Sequence, residues 1–264
     1  MSLVEVVAGF KVFSGPFPDF VKAFRQVFGK DGIGVVSLAG EEKVVVECAS
    51  PDLVVYGRFI LKNCTVHGVE GTEKKFYIDV NILKNVLERA GKGAVEVVFS
   101  NDDKVFKVNM FKGVGGSKEF EFKIDDDAPK IPDVSKIPYK ASLTCYSGEF
   151  YSAINDSMVV SDAVGLETVQ DGLHVSAADG YEGMTYETIV RGWNIEGSAK
   201  ASFNTHYLST IAYALQNIPN DIPKSKNAAT PPDIYVYFSN NAPLKVAKSA
   251  VGGEIFFVLA PRME

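Results

Sequence analysis

Cysteine is scarce in this chain: Cys48, Cys64 and Cys145 are odd in number, widely spaced and without a Cys-x-x-Cys pair, so neither a disulfide framework nor a zinc site is indicated. Reduced thiols are the reading that remains. Histidine is equally rare. His67, His174 and His206 stand apart, none at metal-ligand spacing or beside an acidic or Cys partner, so no catalytic residue, metal or cofactor is expected. Long apolar runs are missing too. The longest, such as Leu53 to Tyr56 and Ile255 to Ala260, are strand-length and far short of a bilayer span. Glu5 interrupts the apolar start, so no leader peptide is expected. Nor is there an excess of basic charge: a net charge of −6 argues against a surface coated for tight nucleic-acid binding. A local cationic stripe on an acidic body stays open.

What is present is enough apolar residue, 46% of 264, to bury the cores of two ordinary domains. The second half also repeats the first. Val97-Val98-Phe99-Ser100-Asn101, a strand and the turn Val114-Gly115-Gly116 recur as Tyr235-Val236-Tyr237-Phe238-Ser239-Asn240, a strand and Val251-Gly252-Gly253. A short helical pattern precedes each copy, Asn81 to Ala90 and Asn204 to Leu215, and Phe13-Ser14-Gly15 is matched by Tyr146-Ser147-Gly148. The offset is roughly 130 residues, about the size of a domain. The repeated parts are structural units with no active site in them.

Strand patterns dominate: Gly34 to Leu38, Lys43 to Cys48, Leu53 to Leu61, Lys75 to Asp79, Ala94 to Ser100, Lys104 to Phe111 and Lys118 to Ile124 alternate or run apolar between turn residues. Four segments have helical period, marked by Phe17, Phe20, Val21, Phe24 and Phe28; by Ile82, Leu83, Val86 and Leu87; by Phe150, Ile154 and Met158; and by Tyr207, Leu208, Ile211 and Leu215. Two one-faced helices per half must pack on one side of a sheet layer. Between the halves, 125–138 carries three prolines and a block of Asp, which predicts an extended surface connector. The domains are expected at 1–124 and 139–264, with a second polar loop at 217–233.

Gly113 to Lys118 lacks the Gly-Lys-Ser/Thr ending of a phosphate loop and leads into a strand rather than a helix, so it reads as a hairpin turn. Gly29, Gly32 and Gly34 follow a helix and precede a strand, the reverse of a dinucleotide fingerprint. Asp125 to Asp127 read as solvated carboxylates rather than a cation site. The cationic helix faces are more telling. Segment Pro16 to Lys30 sets Lys22, Arg25 and Lys30 against Asp19, and Val80 to Lys92 sets Lys84, Arg89 and Lys92 against Glu88, each net +2. Joined to the repeat, these faces fit a surface that slides along phosphates.

Three stretches now carry a resemblance: Ala242-Pro243-Leu244-Lys245-Val246 leading to Phe256-Phe257-Val258-Leu259-Ala260-Pro261-Arg262, the helix entry Tyr77 to Ala90, and Ser147-Gly148-Glu149-Phe150 after the connector. They resemble the sliding clamps of the proliferating cell nuclear antigen (PCNA) type across nearly the whole chain. With no long acidic tail after Arg262, the similarity is greatest to archaeal members. The resemblance implies an α+β, duplicated DNA-clamp fold. In it, two similar domains with antiparallel sheets each turn two helices to the interior of a trimeric ring.

It also implies function: a non-enzymatic polymerase processivity factor that encircles double-stranded DNA without reading sequence. Such a clamp tethers DNA polymerase, flap endonuclease, DNA ligase and the clamp loader in replication and repair. An archaeal member would be cytoplasmic, associated with the nucleoid and without membrane contact. Carried over by position, Lys22, Arg25, Lys30, Lys84, Arg89 and Lys92 would face DNA. A partner pocket would be lined by Val44, Val46, Ile131, Val134, Pro243, Val258, Ala260 and Pro261. Subunits, alike or unlike, would meet through Lys118, Phe120 and Phe122 on one strand and Met184, Tyr186 and Thr188 on another, both expected as sheet edges. One departure is that Ser147 to Met158 carries Glu149 and Asp156 without Lys or Arg, and Asn204 to Leu215 offers only His206. That one-sided lining would suit an adaptor subunit of a heterotrimer with restricted partner binding. The remaining alternative, an enzyme on a duplicated β-rich fold, is disfavoured by the absence of a catalytic constellation.

Overall fold

The computed structural model describes residues 6–12, 16–38, 43–62, 64–69, 73–90, 94–100, 105–111, 116–123, 128–180, 183–220 and 232–262. The first eleven elements are β1 (Val6–Val12), α1 (Phe17–Phe28), β2 (Ile33–Leu38), β3 (Val44–Ala49), β4 (Val55–Leu61), β5 (Cys64–His67), β6 (Lys74–Asp79), α2 (Val80–Ala90), β7 (Ala94–Ser100), β8 (Val105–Phe111) and β9 (Ser117–Lys123). The next eleven are β10 (Ala141–Cys145), α3 (Ser147–Ser157), β11 (Ala163–Val169), β12 (Gly172–Ala178), β13 (Thr185–Arg191), β14 (Trp193–Glu196), β15 (Lys200–Asn204), α4 (Thr205–Gln216), β16 (Ile234–Phe238), β17 (Leu244–Ala250) and β18 (Gly253–Leu259). The two series run in the same order, strand, helix, five strands, helix, three strands. Duplication is therefore a property of the fold as well as of the sequence.

Two compact units result. The first takes Met1–Pro51, Gly57–Ile131 and Ala250–Ile255; the second takes Asp52–Tyr56, Pro132–Ser249 and Phe256–Glu264. In the first, strands run β5-β1-β7-β8-β9 in one layer and β4-β3-β2-β6 in the other; in the second, β14-β10-β16-β17-β18 and β13-β12-β11-β15 repeat that order. The pairs with recorded register are antiparallel, as in β8 with β9 (Val108↔Phe120) and β12 with β13 (Val175↔Thr188). The turns repeat too. Gly116 before β9 and Gly252 before β18 both hold positive φ, 106° and 83°, which reads the Gly-rich stretches as hairpin turns rather than phosphate loops. Gly113 to Gly115, Phe13 to Gly15 and Asp125 to Asp127 lie outside the described residues.

Helix α1 forms because apolar residues recur at helical spacing between Pro16 and Pro18 at its start and Gly29 at its end. Its stripe is aromatic. Phe17, Phe20 and Phe24 all meet Phe59 of β4, with ring centroids 6.2, 5.6 and 4.8 Å away. Phe10 of β1 extends the cluster to Phe17 at 5.5 Å and to Phe99 of β7 at 6.4 Å, and Phe76 stacks on Phe99 at 4.5 Å. Such pairs add about 0.5–1.5 kcal/mol each beyond the area they bury.

The second unit uses different means. Phe150, Ile154, Phe203, Leu208 and Leu215 form its buried core, and a buried ion pair ties its helices. Lys248 of β17 is 1% exposed and gives one hydrogen bond to Asp233 (2.8 Å) and another to the carbonyl of Leu215 in the last turn of α4 (3.0 Å). Asp233 in turn accepts from the backbone N–H and hydroxyl of Ser147, both at 2.7 Å, at the first turn of α3. A cation sits at one helix C-terminus and an anion at the other helix N-terminus, as both dipoles favour. α2 and α4 are capped locally, by Asp79 accepting from Ile82 and Asn204 accepting from Tyr207.

Burial alone would raise the Asp233 carboxyl, but Lys248 and the two Ser147 donors outweigh it and hold the group below its ordinary 3.8. A depressed carboxyl stabilises the fold fully above its unfolded value. The contribution is lost as pH falls below 3.8 and through the folded value. Asp233→Asn leaves Lys248 charged, buried and unpaired, and is expected to cost about 3–5 kcal/mol in urea unfolding. Its residual stability should also fall less steeply between pH 5 and 3 (an assay range spanning about one unit either side of an unperturbed Asp) than that of the parent protein.

Candidate nucleic-acid interface and docking surfaces

The cationic positions fall on the first unit. Arg25 Nε donates to Asn81 Oδ1 at 2.6 Å and pins α1 to α2. Lys22 lies three residues before Arg25 and Lys84 three after Asn81, so these positions share one continuous helix-pair face. Lys84 also bonds Glu88 at 2.9 Å, an exposed pair worth a few tenths of a kcal/mol. Lys22, Lys30 and Arg89 are exposed, and Lys92 lies outside the described residues.

The matching face in the second unit has no Lys or Arg on either helix. Its exposed groups include Glu149, Asn155, Asp156, His206 and Tyr213, with Tyr151 and Tyr213 packed ring to ring at 5.3 Å. The positive charge carried by helices is therefore concentrated on the first unit.

β9 ends one sheet order and β13 ends another. Among the described residues both are unpaired along one side. On β9, Phe120 and Phe122 are half-buried with parallel rings 6.3 Å apart, and Lys118 is exposed. Lys107 of β8 bridges Glu119 (3.3 Å) and Glu121 (3.0 Å). Those two carboxylates raise the Lys107 ammonium above its usual range. Near β13, Met184 is exposed while Tyr186 and Thr188 are half-buried.

The eight expected pocket positions divide between the units. Val44, Val46 and Ile131 belong to the first, and Val134, Pro243, Val258, Ala260 and Pro261 to the second. Val44 and Val46, expected to line a partner pocket, are 0% and 3% exposed and offer no accessible apolar surface. β3 lies between β2 and β4, and Val44 and Val46 stand opposite Leu38 and Val36, both buried, which puts these valines in the core of the layer. Val258 is buried as well, whereas Ile131, Val134, Pro243, Ala260 and Pro261 are half-buried. Within the second unit the connector carries no helix or strand. It is held by the Ser239 hydroxyl donating to the Pro138 carbonyl at 2.7 Å. Ser135 holds the Asp133 carboxyl below its usual range with a hydroxyl and an N–H.

Sequence reasoning missed the Asp233–Lys248 pair, since 15 residues separate its members and no spacing rule links them. It also missed a groove of about 690 Å³ on the second unit, lined by Gly165, Ser176, Ala178 and Ser202 with Glu187 and Lys200 as its titratable groups. That lining offers no nucleophile with a base. Among the described residues no three His, Cys, Asp or Glu groups could hold a metal, and no helix is long and apolar enough to cross a membrane.

Comparison with solved structures bears on the fold. The chain superposes on PCNA from Thermococcus kodakaraensis (TM-score 0.71, 17% identity, 96% of this chain and 100% of that one). It also superposes on the proliferating cellular nuclear antigen of Entamoeba histolytica (0.76, 13%, 98% and 100%). The chain has the sliding-clamp fold. A third clamp structure, A. fulgidus PCNA bound to the C-terminal region of FEN-1, matches with TM-score 0.69 and 18% identity over 97% of this chain and 99% of that one. In sequence the clamp-fold chain is a homologue of the DNA polymerase sliding clamp of Methanococcus vannielii. They are 26% identical over 208 residues, 74% of this chain and 76% of the relative. The corresponding protein of Methanobrevibacter smithii is 27% identical over 193 residues, 72% of each. No family model matches.

The thiols are buried structural groups. Burial, offset slightly by the Ala49 backbone, pushes Cys48 up to about 12; burial, with Asp233 and Glu149 adding repulsion, pushes Cys145 higher still. Cys64 is buried as well. All three should resist an aromatic disulfide reagent at pH 8 (near the ordinary Cys value of about 8.5) in native protein and react together in denaturant. Fast labelling of any one in folded protein would contradict this assignment.

Proposed function

We propose that this chain is a subunit of a DNA sliding clamp, a polymerase processivity factor that works by topology and not by catalysis. The observation that carries the reading is the duplicated clamp fold in a homologue of DNA polymerase sliding clamps, with a cationic helix-pair face and two free sheet edges. Head-to-tail pairing of β9 with the β13 of another subunit would cover both edges and close a ring. Duplex DNA would pass through it against Lys22, Arg25, Lys30, Lys84 and Arg89. Contacts limited to phosphates carry no sequence information, which is what sliding requires.

The deciding experiment is topological. Loaded protein should stay on closed circular DNA and run off the same DNA once linearised. Equal retention on both forms would sink the clamp reading. Lys22→Gln with Lys84→Gln should weaken binding on all sequences alike. It should also lower the salt slope by roughly 1 for each lysine in phosphate contact at a given moment.

Replication and repair enzymes would dock on the second unit at the half-exposed apolar positions Val134, Pro243, Ala260 and Pro261, through a short segment bearing an aromatic anchor. Val134→Ser with Ala260→Asp should cost such a peptide about 1–3 kcal/mol of affinity while the oligomer mass is unchanged. Unimpaired peptide binding would place the docking surface elsewhere. A second reading, one subunit of a ring of unlike chains, is favoured by the α3–α4 face, which carries Glu149 and Asp156 and no Lys or Arg. On that reading the phosphate contact of this subunit would come from α1 and α2 alone.

A further inference from the structure

We infer that the second unit's β14-β10-β16-β17-β18 layer carries, on the side turned away from the core, a docking surface for an acidic segment of a partner protein. This face takes no part in the DNA contact, ring closure or connector docking proposed above. The strand register builds it. Trp193 stands opposite Thr144, Thr144 opposite Tyr235, and Tyr235 opposite Ala247; in the next row Glu196 stands opposite Ser142, Ser142 opposite Tyr237, and Tyr237 opposite Lys245. Opposed residues share a face. The alternate positions Leu143, Val236 and Val246 are buried, so the core lies on the other side of the layer and these two rows look away from it.

The face is rich in rings. Tyr235 is 42% exposed, and Trp193, Tyr237 and Phe256 are half-buried, with the small side chains of Ser142, Thr144 and Ala247 between them. Tyr, Trp and Arg are the residues that protein interfaces concentrate at their centres. Two cations are mounted on these rings. Arg191 lies over Trp193, 5.3 Å from the ring centroid, and Lys245 lies over Phe256 at 4.2 Å and over Tyr237 at 5.6 Å. Held on a ring, a long side chain has given up rotamer freedom before a partner arrives. Burial, with Tyr235 and Glu196 beside it, raises the Tyr237 hydroxyl above its ordinary range, in keeping with the shared face. Among the described residues of the second unit, Glu196 is the carboxylate that the register places here. Its charge is matched by exposed Lys140, two positions before Ser142 on the same alternation, so Arg191 and Lys245 remain as an excess of positive charge.

That arrangement chooses the occupant. A nucleic-acid strand needs open ring faces on which to stack its bases. Here a cation lies over Trp193 and over Phe256, and Tyr146 meets Trp193 edge-on at 4.9 Å. What the face displays is positive charge backed by aromatic surface, which suits carboxylates alternating with apolar side chains. β14 and β17 are separated by β10 and β16, so they lie about 14 Å apart, a span that about four residues of extended chain cover. The fitting segment carries two carboxylates about that far apart, with an apolar residue between them to lie on Tyr235.

The chain's single tryptophan, Trp193, reports occupancy directly. The probe is a synthetic peptide of about ten residues, long enough to cross the face, with two Glu about four positions apart and Leu between them. The same peptide with Gln for Glu, and an oligothymidylate of about ten nucleotides, are the comparisons. On the full chain the Glu peptide should change the fluorescence saturably, and its Kd should rise with salt. Arg191→Gln with Lys245→Gln, which removes two exposed charge contacts, should raise that Kd about tenfold. Tyr235→Ser should weaken binding as well, with native circular dichroism showing that each variant is folded. Calorimetry on the same mixtures registers binding that leaves the fluorescence unmoved. Neither heat nor a fluorescence change with the Glu peptide would overturn the inference. Equal affinity for the Gln peptide would overturn its charge basis, and tighter binding of the oligothymidylate would make the face a single-strand nucleic-acid site. Loss of Glu-peptide binding in Val134→Ser with Ala260→Asp would move the peptide to the connector surface and also overturn it.

Discussion

Each helix of this protein has one apolar stripe and no way to bury it except against a sheet of its own unit. In the first unit the stripe is Phe17, Phe20 and Phe24, and all three rings converge on Phe59. Once that contact is made, the polar face of α1 must look away from the sheet, taking Lys22 outward. α2 is locked beside it by Arg25 and Asn81. The cationic surface thus follows from the packing requirement of α1, while β9 and β13 end their sheet orders among the described residues.

The same topology is held by different forces in the two halves. The first unit relies on aromatic packing. The second has fewer rings between helix and sheet and instead fixes the ends of α3 and α4 with one buried cation and one buried anion. A buried pair adds little net stability over an apolar substitute, yet it is intolerant of losing either member. It also fixes geometry, because the Leu215 carbonyl and the Ser147 N–H must both reach the same two side chains. Duplicated chain order therefore constrains the fold, while the interactions that enforce it have drifted apart.

The difference extends to the surface. A ring of such subunits would alternate cationic faces from α1–α2 with faces from α3–α4 that carry Glu149 and Asp156 and no basic residue. Phosphate contact would be periodic rather than continuous around the bore. Fewer simultaneous ion contacts mean weaker retention by charge and easier sliding, so such a clamp depends more on closure than on affinity. On the proposed reading, closure would fall to β9 and β13, which end their sheet orders among the described residues.

The amphipathic periods of the four helices, the strand-rich remainder and the duplicated turns were legible in the sequence alone, because each is a local pattern of side-chain spacing. Two strands of the first half were not. β1 is broken by Gly9, which reads as a turn residue, yet a Cβ there would lie 2.5 Å from the Val97 carbonyl and 2.8 Å from His67, so the glycine permits close strand approach. β5 has only four residues, too few for an alternation to declare itself. Tertiary structure alone decided that Val44 and Val46 are core: their alternation is the same whether β3 lies inside a layer or at its surface. It alone brought Asp233 to Lys248 and to the start of α3, and it alone left β9 and β13 as edges. Spacing along a chain determines which residues share a face, but which face meets solvent is settled by what the rest of the chain packs against it.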